Sequence, residues 1–113
     1  MVLRLYTQES RRHHGILLYE WLLEQAKQLG IHGGSVFRAI AGFGRHGVLH
    51  EQHFFELAGD LPVVAEFVCV PEEAERLLAL LQRERVDVMY ARWPAELGST
   101  VTAGAPGASG NAA

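Results

Sequence analysis

Segments with the two-residue hydrophobic period of strands and segments with the hydrophobic period of helices follow one another along this chain in an order that few folds have. Some segments alternate apolar and polar residues or are almost wholly apolar, as strands are, and others place apolar residues at helical spacing. The predicted strands are residues 2–7, 35–43, 61–70 and 86–93, and the predicted helices begin at Ile16 and Pro71. This β-α-β-β-α-β order in fewer than 100 residues predicts an α+β, ferredoxin-like sandwich, in which a four-stranded antiparallel sheet carries both helices on one face.

Each predicted helix has one apolar stripe, which we expect to face the sheet. The stripe of the first helix is followed by Gly30, which suits the left-handed residue after a helix end. Leu17 and Trp21 lie beside that stripe and predict a second buried contact, for which another subunit is one candidate. The two stripes are Leu18, Leu22, Ala26 and Leu29, and Ala74, Leu77, Leu78 and Leu81.

Charged residues lie in the middle of three predicted strands. Right-handed crossovers place the first and third strands at the centre of the sheet and the second beside the third. Alternation then brings Arg4, Arg38 and Glu66 to the face away from the helices, where Glu66 can pair with either arginine or both. The charged trio either sets strand register inside an oligomer or contacts a ligand directly. Because the same face carries several apolar residues, we expect other copies of the chain to cover it. Those residues are Val36, Ile40, Val64 and Val68.

The amino-acid composition indicates where the domain ends and which classes of protein can be excluded. Residues 98–113 carry no charge and one larger apolar side chain, Val101, which predicts a disordered tail behind a single domain of residues 1–97. Ten Lys+Arg against 13 Asp+Glu give a net charge of −3, which argues against a broad nucleic-acid surface. The single cysteine, Cys69, excludes an internal disulfide. No apolar run approaches the roughly 18 to 20 residues of a membrane span and no signal-peptide core is present, so we expect a soluble, cytoplasmic protein.

The segment Gly42-Phe43-Gly44-Arg45-His46-Gly47 is the strongest candidate for chemistry. Glycines let backbone amides approach an anion, and the forked guanidinium of Arg45 suits a phosphate, so the segment predicts a cradle for a nucleotide phosphate. A simple bend at a strand end is the alternative. The segment has neither the Lys-Ser/Thr ending of a Walker loop nor a following helix, so those two motifs are excluded.

Histidines are the second candidates. The spacing His46-x3-His50-x2-His53 would suit zinc or nickel on one helical face, but the stretch has no helical stripe, so we predict no metal and a loop that titrates near neutral pH. His14 precedes the first helix, where it either contributes to a ligand site or, like Ser10, caps the helix. No nucleophile lies in a pattern with a base, and Cys69 sits in an apolar strand, so we predict no enzyme.

Three blocks of residues carry a family resemblance. They are Ser10-x3-His14-Gly15-x2-Leu18-Tyr19-Glu20, Ser35-Val36-x-Arg38-x3-Gly42-Phe43-Gly44 and Asp60-Leu61-Pro62-Val63-Val64. In this order they resemble the PII-like family catalogued as domain of unknown function 190, over about residues 2–93. The resemblance implies a ferredoxin-like fold and a homotrimer whose sheets face inward.

The wider resemblance to PII signalling proteins implies a ligand. It makes Gly42, Gly44, Arg45 and His46 contacts for an adenine nucleotide between subunits, and Arg38 and His14 complete our candidate set. Residues 48–59 become the loop that a partner recognises, and a membrane transporter or channel is the implied partner. Where PII proteins have a glycine-rich, lysine-bearing loop, this chain has the short Gln82-Arg83-Glu84-Arg85, which favours AMP, ADP or a cyclic nucleotide over a triphosphate.

The resulting hypothesis is a homotrimeric regulator that binds an adenine nucleotide and orders the loop after Gly47. Two alternatives remain open at this point: a trimeric structural adaptor without a ligand, and a small protein that uses its histidines to hold a metal.

Overall fold

A four-stranded antiparallel sheet forms the centre of the structure, a computed structural model that describes residues 1–42 and 60–101. Its strands are β1 (Val2–Gln8), β4 (Gly34–Arg38), β5 (Pro62–Val68) and β6 (Met89–Trp93). A separate short hairpin consists of β2 (Arg12–His13) and β3 (Ile16–Leu17), and the helices are α1 (Leu18–Gln28) and α2 (Pro71–Arg83). The strand order β4-β5-β1-β6 confirms the predicted central pair and the ferredoxin-like α+β fold.

Alternate residues of the two central strands form the floor of the core. Leu3 and Leu5 of β1, and Ala65 and Phe67 of β5, are at most 1% exposed. Burying a side chain of the Leu or Phe class stabilises the fold by about 1.5–3 kcal/mol. The helices cover this face with their stripes, so the predicted stripes are confirmed, except that Leu29 is only partly buried. The buried helix residues are Leu18, Trp21, Leu22, Ala26, Ala74, Leu77, Leu78 and Leu81.

Trp21 corrects one prediction. It is 7% exposed and belongs to the core of its own chain, so it needs no other subunit for its burial. It lies one helical position before Leu22, which widens the apolar stripe toward the β2–β3 hairpin. Its indole ring contacts the His13 ring edge-on, with 4.4 Å between the ring centroids.

The helix ends follow local chemistry. Gly30 adopts a left-handed φ of 88° and its N–H donates to the carbonyl of Lys27, which confirms the predicted cap. Helix α1 begins at Leu18 and not at Ile16, because Ile16 and Leu17 pair with the β2 strand. The prediction that Ser10 or His14 caps this helix is wrong: Leu17 is the N-cap residue, and no side chain bonds there.

The register of β4 corrects a second prediction. Gly34 lies opposite Phe67, and a Cβ at Gly34 would lie 2.5 Å from Phe67 Cε1. The glycine therefore has to face the ring, so Val36 and Arg38 point to the helix side of the sheet and Phe37 to the other side. The sequence predicted the opposite arrangement, with Val36 and Arg38 on the face away from the helices. Alternation shows which side chains share a face, but it does not show which of the two faces of an edge strand is buried.

The structure describes only part of the chain that follows β4 and β6. Strand β4 ends at Arg38, earlier than predicted, and Ile40 beyond it is 93% exposed. The predicted loop of residues 48–59 and most of the predicted tail lie outside the described residues. In the described ranges, neither helix is long and apolar enough to cross a membrane.

Candidate functional site

The sheet face away from the helices, here called the open face, carries an ion pair among apolar side chains. Arg4 Nε donates to Glu66 Oε1 at 2.7 Å, and the Arg4 guanidinium lies 5.3 Å from the centre of the Trp93 ring, within cation–π distance. This confirms the predicted pairing of Glu66 with Arg4. The hydrogen bond that Arg4 donates to Glu66 is the largest of the causes that raise the pKa of Arg4.

Large apolar side chains remain exposed around that pair. Phe37, Met89 and Trp93 are 53%, 44% and 40% exposed. Strand pairing places Phe37 beside Val64, and Trp93 beside Val2, on the same face. An antiparallel sheet that meets water on one side normally alternates with polar residues on that side. The open face is therefore poorly suited to water in a single chain.

Arg38 lies at the end of β4, away from the Arg4–Glu66 pair. Its guanidinium forms an ion pair with Glu9, just after β1, and its side chain is 61% exposed. The predicted pairing of Arg38 with Glu66 is wrong, because β4 presents Arg38 on the opposite face of the sheet. Arg38 nevertheless remains accessible to an anion that could compete with Glu9.

Gly42, where the glycine-rich segment begins, packs against the start of β5. A Cβ at this position would lie 3.3 Å from Pro62 Cγ, so the chain approaches the proline ring closely. Pro62 shares the open face with Val64 and Glu66. The glycine-rich segment thus leaves the described structure at the rim of the open face. Its members Gly44, Arg45 and His46 lie outside the described residues.

His14 takes part in a different cluster. The Nε2 atoms of His13 and His14 lie 3.1 and 3.0 Å from the same oxygen, Oε1 of Glu84, which directly follows α2. The two imidazole rings are in contact, with 4.1 Å between centroids. Hydrogen bonds from His14 and then from His13 hold the pKa of Glu84 below its ordinary value. Each pair of the three ligand atoms lies within 4.8 Å, close enough to hold a metal ion.

Of the six predicted site residues, the structure describes Arg38, Gly42 and His14, and within one chain these three have different neighbours. Arg38 and Gly42 lie beside the β4 edge, whereas His14 is held near the β6 edge, where Arg11 Nη1 also donates to the carbonyl of Asp87. The two edge strands are separated by three strand spacings, about 14 Å. Within one chain, Arg38 and His14 are therefore associated with opposite edges of the sheet.

Two further arginines, Arg85 and Arg92, follow α2 in the chain. Arg92 in β6 forms an ion pair with Glu75 of α2 and borders a surface cavity of about 310 Å³ between α2 and β6. Arg85 has a left-handed φ of 56° directly after the cluster residue Glu84. Arg85 thus lies within the connection between α2 and β6, whereas Arg92 lies in β6 itself.

Comparison with known proteins decides the family. The family model DUF190, described as "Uncharacterized ACR", matches residues 1–97. The chain belongs to the DUF190 family. It is 37% identical over 97 residues to a UPF0166 protein of Aquifex aeolicus, a match that covers 79% of this chain and 92% of that protein. It is 35% identical over 80 residues to a UPF0166 protein of Methanocaldococcus jannaschii, covering 71% and 73% of the two chains.

Sequence reasoning missed two members of the histidine cluster of this DUF190 chain. Glu84 and His13 are 71 residues apart, and no spacing rule joins them. The available signals were the adjacent pair His13-His14 before a helix and an acidic residue in the short segment after the second helix. Cys69, in contrast, is a buried core residue as predicted, although it lies one position after β5: it is 7% exposed, and burial raises the pKa of its thiol.

Proposed function

We propose that this DUF190 chain is a cytoplasmic, PII-like regulator and not an enzyme. Three copies assemble through their open faces, and an adenine nucleotide binds at the clefts between copies. Nucleotide binding changes the conformation of the loop after Gly47, and a partner, which we take to be a membrane transporter or channel, recognises that conformation. The observation that carries the proposal is the exposed apolar surface around Arg4 and Glu66.

Assembly is the first step of the proposal. Among the described residues the helices cover one face of the sheet and leave Phe37, Met89 and Trp93 exposed on the other, which favours a second molecule as their cover. A second copy is a suitable occupant because the Arg4–Glu66 pair is neutral overall and can stay satisfied within its own chain during burial. Trimeric assembly follows the resemblance to PII-like proteins.

Assembly would also bring the separated candidate site residues together. In a closed ring of copies, the β4 edge of one chain can approach the β6 edge of the next chain. Arg38 and Gly42 of one copy and His14 of its neighbour would then lie at one cleft. Gly42 at the rim of the open face supports this arrangement, since the cleft borders the buried interface.

Binding of the nucleotide phosphate changes the contacts of Arg38 and of the glycine-rich segment. Arg45 and the glycine-rich amides bind the phosphate, and Arg38 exchanges its Glu9 carboxylate for a phosphate oxygen. Release of Glu9 and ordering of the adjacent loop are then linked to nucleotide occupancy. The short segment of residues 82–85 favours AMP, ADP or a cyclic nucleotide over ATP.

Calorimetry with AMP, ADP, ATP and cyclic AMP tests the proposal. We expect one of the smaller nucleotides to bind, and Arg45→Ala to weaken it by at least about tenfold because a charged hydrogen bond to phosphate is lost. Arg76→Ala, an exposed arginine on α2, is the matched control and should bind as the wild type does. Absence of heat and of thermal stabilisation with every nucleotide at millimolar concentration would reject nucleotide binding and leave the structural adaptor.

A further inference from the structure

We propose that His13, His14 and Glu84 form a binding site for a divalent transition-metal ion of the zinc class. The site lies between the β2–β3 hairpin and the end of α2 and combines two imidazole nitrogens with one carboxylate oxygen. Zinc prefers these donor types, and a site with three protein ligands keeps a fourth position for water or another ligand. The inference does not depend on nucleotide binding.

The hairpin holds the two histidines in place. His13 pairs with Ile16, and the two residues between them, His14 and Gly15, both have positive φ, 53° and 81°, as a type I′ turn requires. Arg12 Nη1 donates to the Gly15 carbonyl at 3.0 Å and closes the turn. Because the left-handed conformation at His14 changes the usual alternation of side chains, the adjacent rings lie on the same side.

Contacts other than the cluster itself hold the hairpin against α1 and against the connection between α2 and β6. Arg11 Nη1 donates to the Asp87 carbonyl, and Leu18 N–H donates to the Arg11 carbonyl at 2.7 Å. The His13 ring is also packed edge-on against the buried Trp21. The three candidate ligands are therefore brought together by the fold, and an ion would not have to order them first.

The distances fit a metal after a small adjustment. Tetrahedral zinc with bonds of about 2.0 to 2.2 Å separates neighbouring ligand atoms by about 3.3 to 3.6 Å. The two Nε2 atoms lie 3.1 and 3.0 Å from Glu84 Oε1, so a small rotation of the side chains admits the ion. For the ion to bind, the proton that Nε2 shares with Glu84 has to leave that nitrogen. In a neutral ring it moves to Nδ1 by exchange through solvent, and the Nε2 lone pair then binds the metal.

Exposure makes the site accessible. The His13 side chain is 18% exposed, Glu84 is 35% exposed and His14 is 67% exposed. A metal can enter from the side of the more exposed His14 ring. The alternative is that the cluster is held only by hydrogen bonds and binds no metal, which the following experiment decides.

The test uses the full chain without a histidine tag, stripped of metal, in a buffer without phosphate or nucleotide. We expect Zn²⁺ titration calorimetry to show one ion per chain, and Glu84→Gln and His14→Ala each to lower the affinity by at least about tenfold. The matched control is His32→Ala, an exposed histidine outside the cluster, which should bind as the wild type does. Thermal unfolding adds a second readout, because Zn²⁺ should raise the Tm of the wild type but not of Glu84→Gln.

The other histidines provide the decisive contrast. A variant with His46→Ala, His50→Ala and His53→Ala should keep the ion if the proposal is correct. Loss of binding in that variant, with Glu84→Gln and His14→Ala unaffected, would overturn the proposal, as would the absence of binding to the wild type. Far-UV circular dichroism of each variant separates loss of the ion from loss of the fold. Since nucleotide is absent throughout, failure here leaves the proposed regulatory function untouched.

Discussion

The two faces of the sheet are formed by alternate residues of the same strands, but the residues that the structure describes cover only one of them. On the helix face, Leu5 and Phe67 are at most 1% exposed. On the open face, Phe37 and Trp93 remain 53% and 40% exposed beside the Arg4–Glu66 pair. The difference indicates two sources of burial: folding of one chain buries the first face, and association of copies would bury the second.

The largest expected effect contrasts two phenylalanines. Phe67→Ala empties a buried site and should cost about 3–5 kcal/mol of unfolding free energy. Phe37→Ala removes a half-exposed ring and should act mainly on association. Urea unfolding at two protein concentrations measures both: the Phe67 effect should be the same at each concentration, and the Phe37 effect should depend on concentration. If both variants lost the same unfolding free energy at both protein concentrations, the two faces would not differ in how they are buried.

A smaller effect is expected at Gly34, which sets the register of β4. Gly34→Ala would bring a methyl group against the Phe67 ring, where a Cβ lies 2.5 Å from Cε1, and overpacking of this kind costs about 1–3 kcal/mol. Gly98→Ala is the control, because a Cβ there meets nothing within 4 Å. If Gly34→Ala proves as stable as Gly98→Ala, the assignment of Phe37 to the open face loses its physical basis.

The smallest expected effect concerns the Arg4–Glu66 pair. Exposed ion pairs contribute little, whereas covered pairs couple more strongly. A double-mutant cycle with Arg4→Met and Glu66→Gln should therefore give a weak coupling in dissociated chains and a stronger one in the assembly. Thermal unfolding across a range of protein concentrations provides both values. A coupling that stays constant across that range would mean that the open face remains in water.

Most of the fold could be predicted because it depends on local period and chain order. The stripes of both helices, the cap at Gly30 and the central position of β1 and β5 all follow from short-range patterns. The faces of β4 could not be predicted, because the choice between them depends on the contact of Gly34 with a residue more than thirty positions away. Trp21 was misjudged for a similar reason, since its burial depends on the hairpin before the helix.

The candidate site was less predictable than the fold. Arg38 and His14 were singled out by residue type, but their actual partners, Glu9 and Glu84, are fixed by tertiary contacts that no sequence spacing encodes. The glycine-rich segment was recognised from composition, and only Gly42 of its candidates lies within the described residues, at the rim of the open face.

The mass of the particle in solution tests self-association through the open face most directly. Size-exclusion chromatography with light scattering at micromolar concentration should give about three times the 12.5 kDa of one chain. Phe37→Asp should reduce the mass to that of one chain while circular dichroism stays unchanged, and Val101→Asp, at a residue that is 84% exposed outside the sheet, should keep the wild-type mass. A wild-type mass of 12.5 kDa would contradict the account.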